Sequence, residues 1–143
     1  MAANCPFCNR EFKKNYVLYE DDNWLIRHSE ETNILGYFIL QSKEHLIDLS
    51  EATETASRNY GLLLGRLMKA IRKTTGCHRI YTFSLGEAVP HYHLHVIPRR
   101  ETLSRKYTGR GITSYPLEPA CAEELVEQVL EKISKQFKVA SMA

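Results

Sequence analysis

The chain has 143 residues, of which 43% are hydrophobic and 25% charged, and its formal net charge is +2. This length fits one domain with a buried core, so we expect residues 1–143 to fold as a single domain. The small net charge gives no electrostatic case for binding nucleic acid or a membrane surface, and no apolar run approaches the length of a membrane span. Since the first residues also lack a signal-peptide core, we expect a cytoplasmic protein.

Two of the four cysteines, Cys5 and Cys8, are separated by two residues. In a reducing compartment such a pair is better interpreted as a metal or redox site than as a disulfide. No βαβ pattern surrounds the pair, which disfavours a thioredoxin-type redox role. A structural zinc site needs four sulfur or nitrogen ligands, so two further ligands have to come from elsewhere in the chain.

The segment after the cysteines is predicted to form short strands. Residues 16–19 and 23–28 predict two strands around a turn, and residues 36–42 predict a buried strand. His28, like His78, is interpreted as a surface or strand-end residue, because one histidine alone carries little information.

A helix is predicted over residues 50–75 from the helical spacing of its apolar residues. Ser50 is the expected N-cap, and Gly76 is expected to end the helix.

The second half of the chain predicts two more strands and a last helix. Residues 78–85 alternate as a strand, and the histidine-rich residues 91–97 follow a turn. Residues 99–117 are predicted to form a loop that either covers a substrate or is a flexible connection. Pro119 suits the first position of the last helix. Antiparallel strands with two helices predict an α+β domain.

Three histidines, His91, His93 and His95, alternate with apolar residues. In a strand their rings line up on one face while the intervening residues pack on the other. A neutral imidazole is a good nucleophile towards phosphorus, and a flanking ring can donate to a phosphate oxygen or a leaving group. The central position of His93 therefore indicates phosphoryl or nucleotidyl transfer.

Two metal sites are compatible with this pattern. Three histidines could form a catalytic zinc site with bound water, but three in-line strand positions span roughly 13 Å, which one ion cannot easily bridge. The other site combines two thiolates with two imidazoles, Cys5, Cys8, His45 and His91, which is one of several four-ligand combinations that the residues alone allow.

Residues 91–97, His-Tyr-His-Leu-His-Val-Ile, resemble the complete signature of the histidine-triad (HIT) family. The resemblance extends to Gly-Glu-Ala-Val-Pro at residues 86–90 and to Pro-Arg at residues 98–99. Residues 36–45 are similar to the family strand Gly-His-x-Leu-Val-x-Pro-Lys-x-His.

The resemblance implies a nucleotide hydrolase or nucleotidyltransferase that acts at an α-phosphate. Typical substrates are dinucleoside polyphosphates, nucleoside phosphoramidates and adenylates. The family's nucleophile falls on His93, the residue that binds the α-phosphate falls on His95, and the first histidine of the triad falls on His91.

In zinc-bearing relatives, which include galactose-1-phosphate uridylyltransferases, the first histidine joins two cysteines and an earlier histidine. The resemblance therefore implies a structural zinc on Cys5, Cys8, His45 and His91. It also implies a five-stranded antiparallel sheet with two helices, and a homodimer with a continuous ten-stranded sheet.

Several positions depart from the family pattern. Ala88 lies where many members have a Ser or Thr that assists the leaving group, and Glu87 lies where Gln or Asn is common. Ser29 falls on an Asp or Asn that binds ribose hydroxyls, and Tyr37 replaces a frequent His. Arg99, just after the triad, could meet a distal phosphate.

The candidate substrate contacts are Ser29, Glu87, Ala88 and Arg99. The leading hypothesis is a nucleotide hydrolase with a covalent intermediate on His93 and a structural zinc. The alternatives are a metallohydrolase with zinc inside the triad and a nucleotide-binding protein with weak catalysis.

Overall fold

The computed structural model describes residues 4–140 as a five-stranded antiparallel sheet with two long helices, which confirms the predicted α+β fold. The strands are β1 (Val17–Glu20), β2 (Trp24–His28), β3 (Phe38–Ser42), β4 (Arg79–Phe83) and β5 (His93–Arg99). The helices are α1 (Glu54–Thr75) and α2 (Glu123–Ala140). The strands lie in the order β1-β2-β3-β5-β4, so β4 is an edge strand and β5 lies beside it.

One face of the sheet carries the main hydrophobic core. Alternate residues of the three central strands, such as Ile26, Leu40 and Val96, are fully buried there against the two helices. Trp24 is also fully buried, and its indole N–H donates to the carbonyl of Ala56 in α1 at 2.9 Å. Burying each aliphatic side chain contributes about 1.5–3 kcal/mol, so this face fixes the position of β5.

The opposite face, called here the open face, carries a smaller apolar cluster at one end. Its buried members are Ile34, Tyr37, Ile39, Ile97 and Ile112. Across this face Arg27, Ile39, His95 and Phe83 are neighbours in register on β2, β3, β5 and β4.

Helix α1 begins later than predicted. Thr53 is its N-cap and accepts a hydrogen bond from the Ala56 N–H at 3.1 Å, whereas Ser50 lies in a separate 3₁₀ turn, Leu49–Glu51. Asp48 caps that turn and Thr53 caps the helix, so Ser50 does not have the capping role expected for it. The predicted end is confirmed, since Gly76 adopts a left-handed φ of 67°.

Helix α2 begins at Glu123, so the prediction that Pro119 opens it is wrong. The carbonyl of Ala122 accepts the first helical hydrogen bonds, and Glu123 and Glu124 place negative charge in the first turn. Within residues 4–140, no helix combines the length and the apolar character needed to cross a membrane.

Residues 99–117 form a more ordered segment than the predicted loop. Two 3₁₀ helices, Arg105–Tyr107 and Gly109–Ser114, follow β5, and Ile112 is buried in the open-face cluster. The Gly109 N–H donates to the hydroxyl of Tyr81 at 2.8 Å, which ties this segment to β4. The segment therefore covers one end of the open face.

His28 is the last residue of β2, which agrees with its interpretation as a strand-end residue, but it is fully buried and does not lie at the surface. Its Nδ1–H donates to the carbonyl of Ser29 at 2.9 Å, and its Nε2 accepts from the N–H of Gly36 at 2.9 Å. Gly36 has a φ of 89°, which a glycine adopts at little cost, and this turn delays the start of β3 to Phe38.

Candidate functional site

The histidine triad is divided between strand β5 and the turn that precedes it. His93 and His95 lie on the open face with ring centroids 5.0 Å apart. His91 lies two residues before the first residue of β5, and its Nε2–H donates to the carbonyl of Ser42 at 2.7 Å. Two rings of the triad therefore lie together on the open face, whereas the third ring has different partners.

The ring of His93 has a defined tautomer. Its Nδ1 lies 2.7 Å from the backbone carbonyl of His91, and because a carbonyl only accepts, Nδ1 carries the proton. Nε2 therefore has the free lone pair. The side chain is buried beneath Phe7, whose ring centroid is 4.9 Å from that of His93. The hydrogen bond therefore holds the ring in place, and an Nε2 with a free lone pair is an arrangement suited to nucleophilic attack.

The ring of His95 has a different partner. Its Nδ1 lies 2.7 Å from the hydroxyl of Tyr37, and when this hydroxyl donates, the proton of His95 lies on Nε2. Burial lowers the pKa of His95 to about 4, with smaller contributions from His93 and Arg27. Phe83 stacks on the ring at a centroid distance of 4.5 Å. His95 is therefore a neutral hydrogen-bond donor at neutral pH.

A cavity of about 480 Å³ opens over these two histidines. His93 and His95 form part of its wall, and Phe7 and Arg10 from the N-terminal segment form another part. The loop 85–89 contributes the remaining rim. The volume suits a small organic ligand such as a nucleotide.

Three of the four predicted substrate contacts line this cavity, namely Ser29, Glu87 and Ala88. Arg99 does not line it. Arg99 lies at the far end of β5, opposite Arg79 of β4, and its Nε is buried without a hydrogen-bond partner among the described residues. The 3₁₀ segment of residues 105–114 also contributes no lining residue.

Arg27 is a cavity residue that the sequence did not single out. It lies in β2, where all five residues are buried, and its side chain reaches the cavity from the open face. A charged residue directly after the apolar run of residues 24–26 within one predicted strand was the available signal, since Arg is almost never fully buried without a partner.

Four metal-ligating side chains meet beside the triad: Cys5, Cys8, His45 and His91. Their ligand atoms all lie within 4.8 Å of one another. Nδ1 of His91 is 3.4 Å from Sγ of Cys5 and 3.6 Å from Sγ of Cys8. Nδ1 of His45 is 3.4 Å from Sγ of Cys8. The predicted Cys₂His₂ residues are thus brought together.

This cluster fits zinc. Tetrahedral zinc, with bonds of about 2.3 Å to sulfur and about 2.0 Å to nitrogen, separates the two ligand types by about 3.5 Å. The observed sulfur–nitrogen distances of 3.4–3.6 Å match that separation. The bond from Nε2–H of His91 to the Ser42 carbonyl fixes Nδ1 as its ligand atom. His93 and His95 are not members of the cluster.

Comparison with known proteins places these features in one family. The family model described as HIT domain matches residues 10–102. The protein named Protein hit from Bacillus subtilis (strain 168) is 27% identical over 105 residues, which cover 68% of this chain and 72% of the relative.

Solved structures show the same fold. A Zn-bound histidine triad family protein from Mycobacterium smegmatis has a TM-score of 0.68 at 21% identity, with 98% of both chains covered. A histidine triad protein from Marinobacter aquaeolei VT8 has a TM-score of 0.73 at 19% identity, with 86% of this chain and 88% of the other covered. Plasmodium falciparum diadenosine triphosphate hydrolase has a TM-score of 0.68 at 14% identity, covering 97% and 87%. With the family model matching most of its length and the triad intact, this chain belongs to the HIT family.

Proposed function

We propose that this protein is a nucleotide hydrolase or nucleotidyltransferase that acts at an α-phosphate through a nucleotidyl-His93 intermediate. Candidate substrates are dinucleoside polyphosphates, nucleoside phosphoramidates and adenylates. The observation that carries the proposal is the set of partners of the two rings. Nδ1–H of His93 donates to a carbonyl, which leaves a lone pair on Nε2, and Nδ1 of His95 lies 2.7 Å from the Tyr37 hydroxyl, whose donation puts a proton on Nε2. A nucleophile and a phosphate-binding donor thus lie side by side in one cavity.

In the first step Nε2 of His93 attacks the α-phosphorus, and the P–N bond forms as the bond from phosphorus to the leaving group breaks. The leaving group keeps the bonding electron pair and takes any proton it needs from water, since Ala88 offers no hydroxyl. The Nε2–H of His95 donates to a non-bridging phosphate oxygen. The His91 carbonyl stabilises the positive charge that develops on the His93 ring.

In the second step water attacks the phosphorus and the P–N bond breaks. The electron pair returns to Nε2 of His93, a nucleoside monophosphate leaves, and the proton lost by water passes to solvent. In a transferase reaction another nucleophile replaces water. Because the displacement occurs in two steps, the His93 ring returns at the end of each cycle to the form that it had at the start.

A structural zinc on Cys5, Cys8, His45 and His91 forms the second part of the proposal. When bound, zinc would crosslink three parts of the chain. These are the N-terminal segment with its two cysteines, the residues after β3 with His45, and His91 just before β5. Because thiolate ligands require reduced cysteines, the proposal also places the protein in a reducing compartment such as the cytoplasm.

A homodimer is the third part of the proposal. Strand β4 is an edge strand, and pairing with the same strand of a second copy would join two five-stranded sheets into one of ten. Leu62 of α1 is 67% exposed, an unusual position for a large apolar residue on the helix layer. Light scattering during gel filtration should give twice the chain mass of 16.5 kDa. A monomer at all concentrations would contradict the dimer.

The test of the activity is mass spectrometry of the intact protein after rapid quench with a panel of nucleotides. A dinucleoside triphosphate belongs in that panel because one structural neighbour is named a diadenosine triphosphate hydrolase. We expect a covalent nucleotidyl adduct in the wild type and in His78→Ala, whose side chain is 53% exposed. His93→Ala should form none.

Full turnover by His93→Ala would contradict the covalent mechanism. Tight nucleotide binding without any adduct in the wild type would instead favour a nucleotide-binding protein.

A further inference from the structure

The side chain of Arg27 is only 3% exposed, yet no carboxylate in residues 4–140 forms an ion pair with it. Its one hydrogen bond runs from Nε to Oε1 of Gln41 at 2.7 Å. Burying a guanidinium without a paired anion is costly, so a chain that retains one has a use for the charge. Burial, with a smaller repulsion from Arg10, lowers the pKa of Arg27 to about 10, which leaves it charged at neutral pH.

The orientation of the guanidinium leaves one edge for a ligand. Its carbon lies 3.9 Å from the centroid of the Phe12 ring and 5.4 Å from that of Phe7. Phe12 therefore covers a planar face, and Gln41 occupies Nε. The two Nη groups remain, and Arg27 lines the same cavity as His93 and His95. Two parallel N–H groups match the oxygens of a phosphate.

Arg10 lines the same cavity but differs from Arg27 in its charge balance. It is 2.8 Å from a carboxylate oxygen of Glu30 and 3.7 Å from one of Glu31, so its charge is compensated within the chain. Glu30 and Glu31 raise the pKa of Arg27 only from a distance. Arg27 is thus the cavity cation that has Nη groups to offer to an anion.

The position of Arg27 also separates it from the reacting phosphate. Ile39 lies between Arg27 and His95 in register across the sheet, so their backbones are about 10 Å apart. The Phe7 ring contacts both His93 and Arg27, with its centroid 4.9 Å from the His93 centroid. When a phosphate lies at Nε2 of His93, the Nη groups of Arg27 thus remain for a neighbouring anionic group of the same substrate.

We propose that Arg27 binds a second phosphate of the substrate, one that belongs to the leaving group, and so selects polyphosphate substrates over those with an uncharged leaving group. This inference rests on the proposed function, because it takes the α-phosphate to lie at His93. It favours nucleoside polyphosphates, with one or two nucleosides, over simple phosphoramidates.

The test compares the affinities of a nucleoside 5′-monophosphate and its non-hydrolysable α,β-methylene diphosphate by calorimetry. The measurement is made for each of the four common ribonucleosides. The ratio of the monophosphate to the diphosphate dissociation constant is then taken for the base that binds most tightly. In the wild type the diphosphate analogue should bind at least 10-fold more tightly. Arg27→Met, which retains the length of the side chain, should reduce this ratio to about 1 and change monophosphate affinity less than twofold. Arg27→Lys should retain part of the ratio.

Arg58→Met is the control, because Arg58 lies exposed on α1 and pairs with Glu54. It should leave the ratio unchanged, and thermal melts verify that each variant is folded. An unchanged ratio in Arg27→Met overturns the inference, and so does an equal loss of affinity for both ligands. Failure of every nucleotide to bind contradicts this inference and the proposed function together. An Arg27-dependent ratio without any His93 adduct contradicts the proposed function alone.

Discussion

The hydroxyl of Tyr37 lies 2.7 Å from Nδ1 of His95, at the position where the family strand frequently has a histidine. Burial raises the pKa of Tyr37 to about 12, so the phenol remains protonated and can donate this hydrogen bond. No other hydrogen bond of this hydroxyl is formed within residues 4–140. We therefore expect Tyr37 to act as a positioning residue that favours the His95 tautomer with its proton on Nε2.

Tyr37→Phe removes only this donor. We expect the rate of adduct formation on His93 to fall about 10-fold in single-turnover measurements, with KM nearly unchanged, because His95 loses its fixed tautomer. Tyr37→His should recover much of the rate, since an imidazole N–H can also donate to Nδ1. Tyr115→Phe is the matched control on the same open face and should have no effect. An equal effect of both phenylalanine variants would show that the hydroxyl of Tyr37 has no special role.

Zinc content should separate the two metal hypotheses. His45→Ala and Cys8→Ala should each lose the metal, whereas His93→Ala should retain about one zinc per chain in elemental analysis, because His93 lies outside the cluster. Removing a metal held 1,000-fold above its dissociation constant costs about 4 kcal/mol in the free energy of unfolding. Loss of zinc from His93→Ala, with retention in His45→Ala, would instead place the metal inside the triad.

Acid should destabilise the fold through His28. Burial lowers the pKa of His28 to about 4, below the value of about 6.5 in an unfolded chain. Between these two values the unfolded state binds more protons, so stability decreases as the pH falls from about 6.5 towards 4. The loss over the whole window should be about 3 kcal/mol for this group.

Urea unfolding at a series of pH values measures this slope. His28→Gln should flatten it while lowering stability at neutral pH, whereas His78→Gln, at an exposed position, should leave it unchanged. Identical slopes in the wild type and His28→Gln would assign the acid sensitivity to other groups, such as His95.

Ala88→Ser tests the missing hydroxyl at the cavity rim. A serine there can donate a proton to a departing amine, so hydrolysis of a nucleoside phosphoramidate should accelerate about 10-fold. A substrate whose leaving group is a stable phosphate anion should show little change. Steady-state kinetics on both substrates would detect this difference, and Ala88→Thr with Ala88→Val adds a matched pair, because these two side chains have nearly the same size and only threonine has a hydroxyl. Equal acceleration by Ser and Val would attribute the effect to packing.

Alternation of apolar residues predicted β4 and β5, and runs of strand-forming residues between turns predicted β1, β2 and β3, in each case to within a few residues. Element ends were harder. Ser50 and Pro119 both suit a helix start, but local hydrogen bonds at Thr53 and Ala122 decide where each helix begins.

The site could be predicted in part. The triad and the four proposed metal ligands were visible as residue types, although the ligand set needed the family resemblance to select it. The tautomers of His93 and His95 could not be predicted, since they depend on a carbonyl and a hydroxyl brought close by the fold. Arg27 was missed because every residue of β2 is buried. In a strand with one exposed and one buried face, alternation would have shown that Arg27 points to the buried face, but β2 has no such alternation.

His91 has two functions that reside in different parts of the residue. Its ring lies in the metal cluster, while its backbone carbonyl accepts the Nδ1–H of His93. Since every amino acid has this carbonyl, the acceptor is robust to any substitution that leaves the backbone in place. Selection acting on side chains can therefore replace the ring at position 91 and still keep the backbone acceptor of the His93 Nδ1–H.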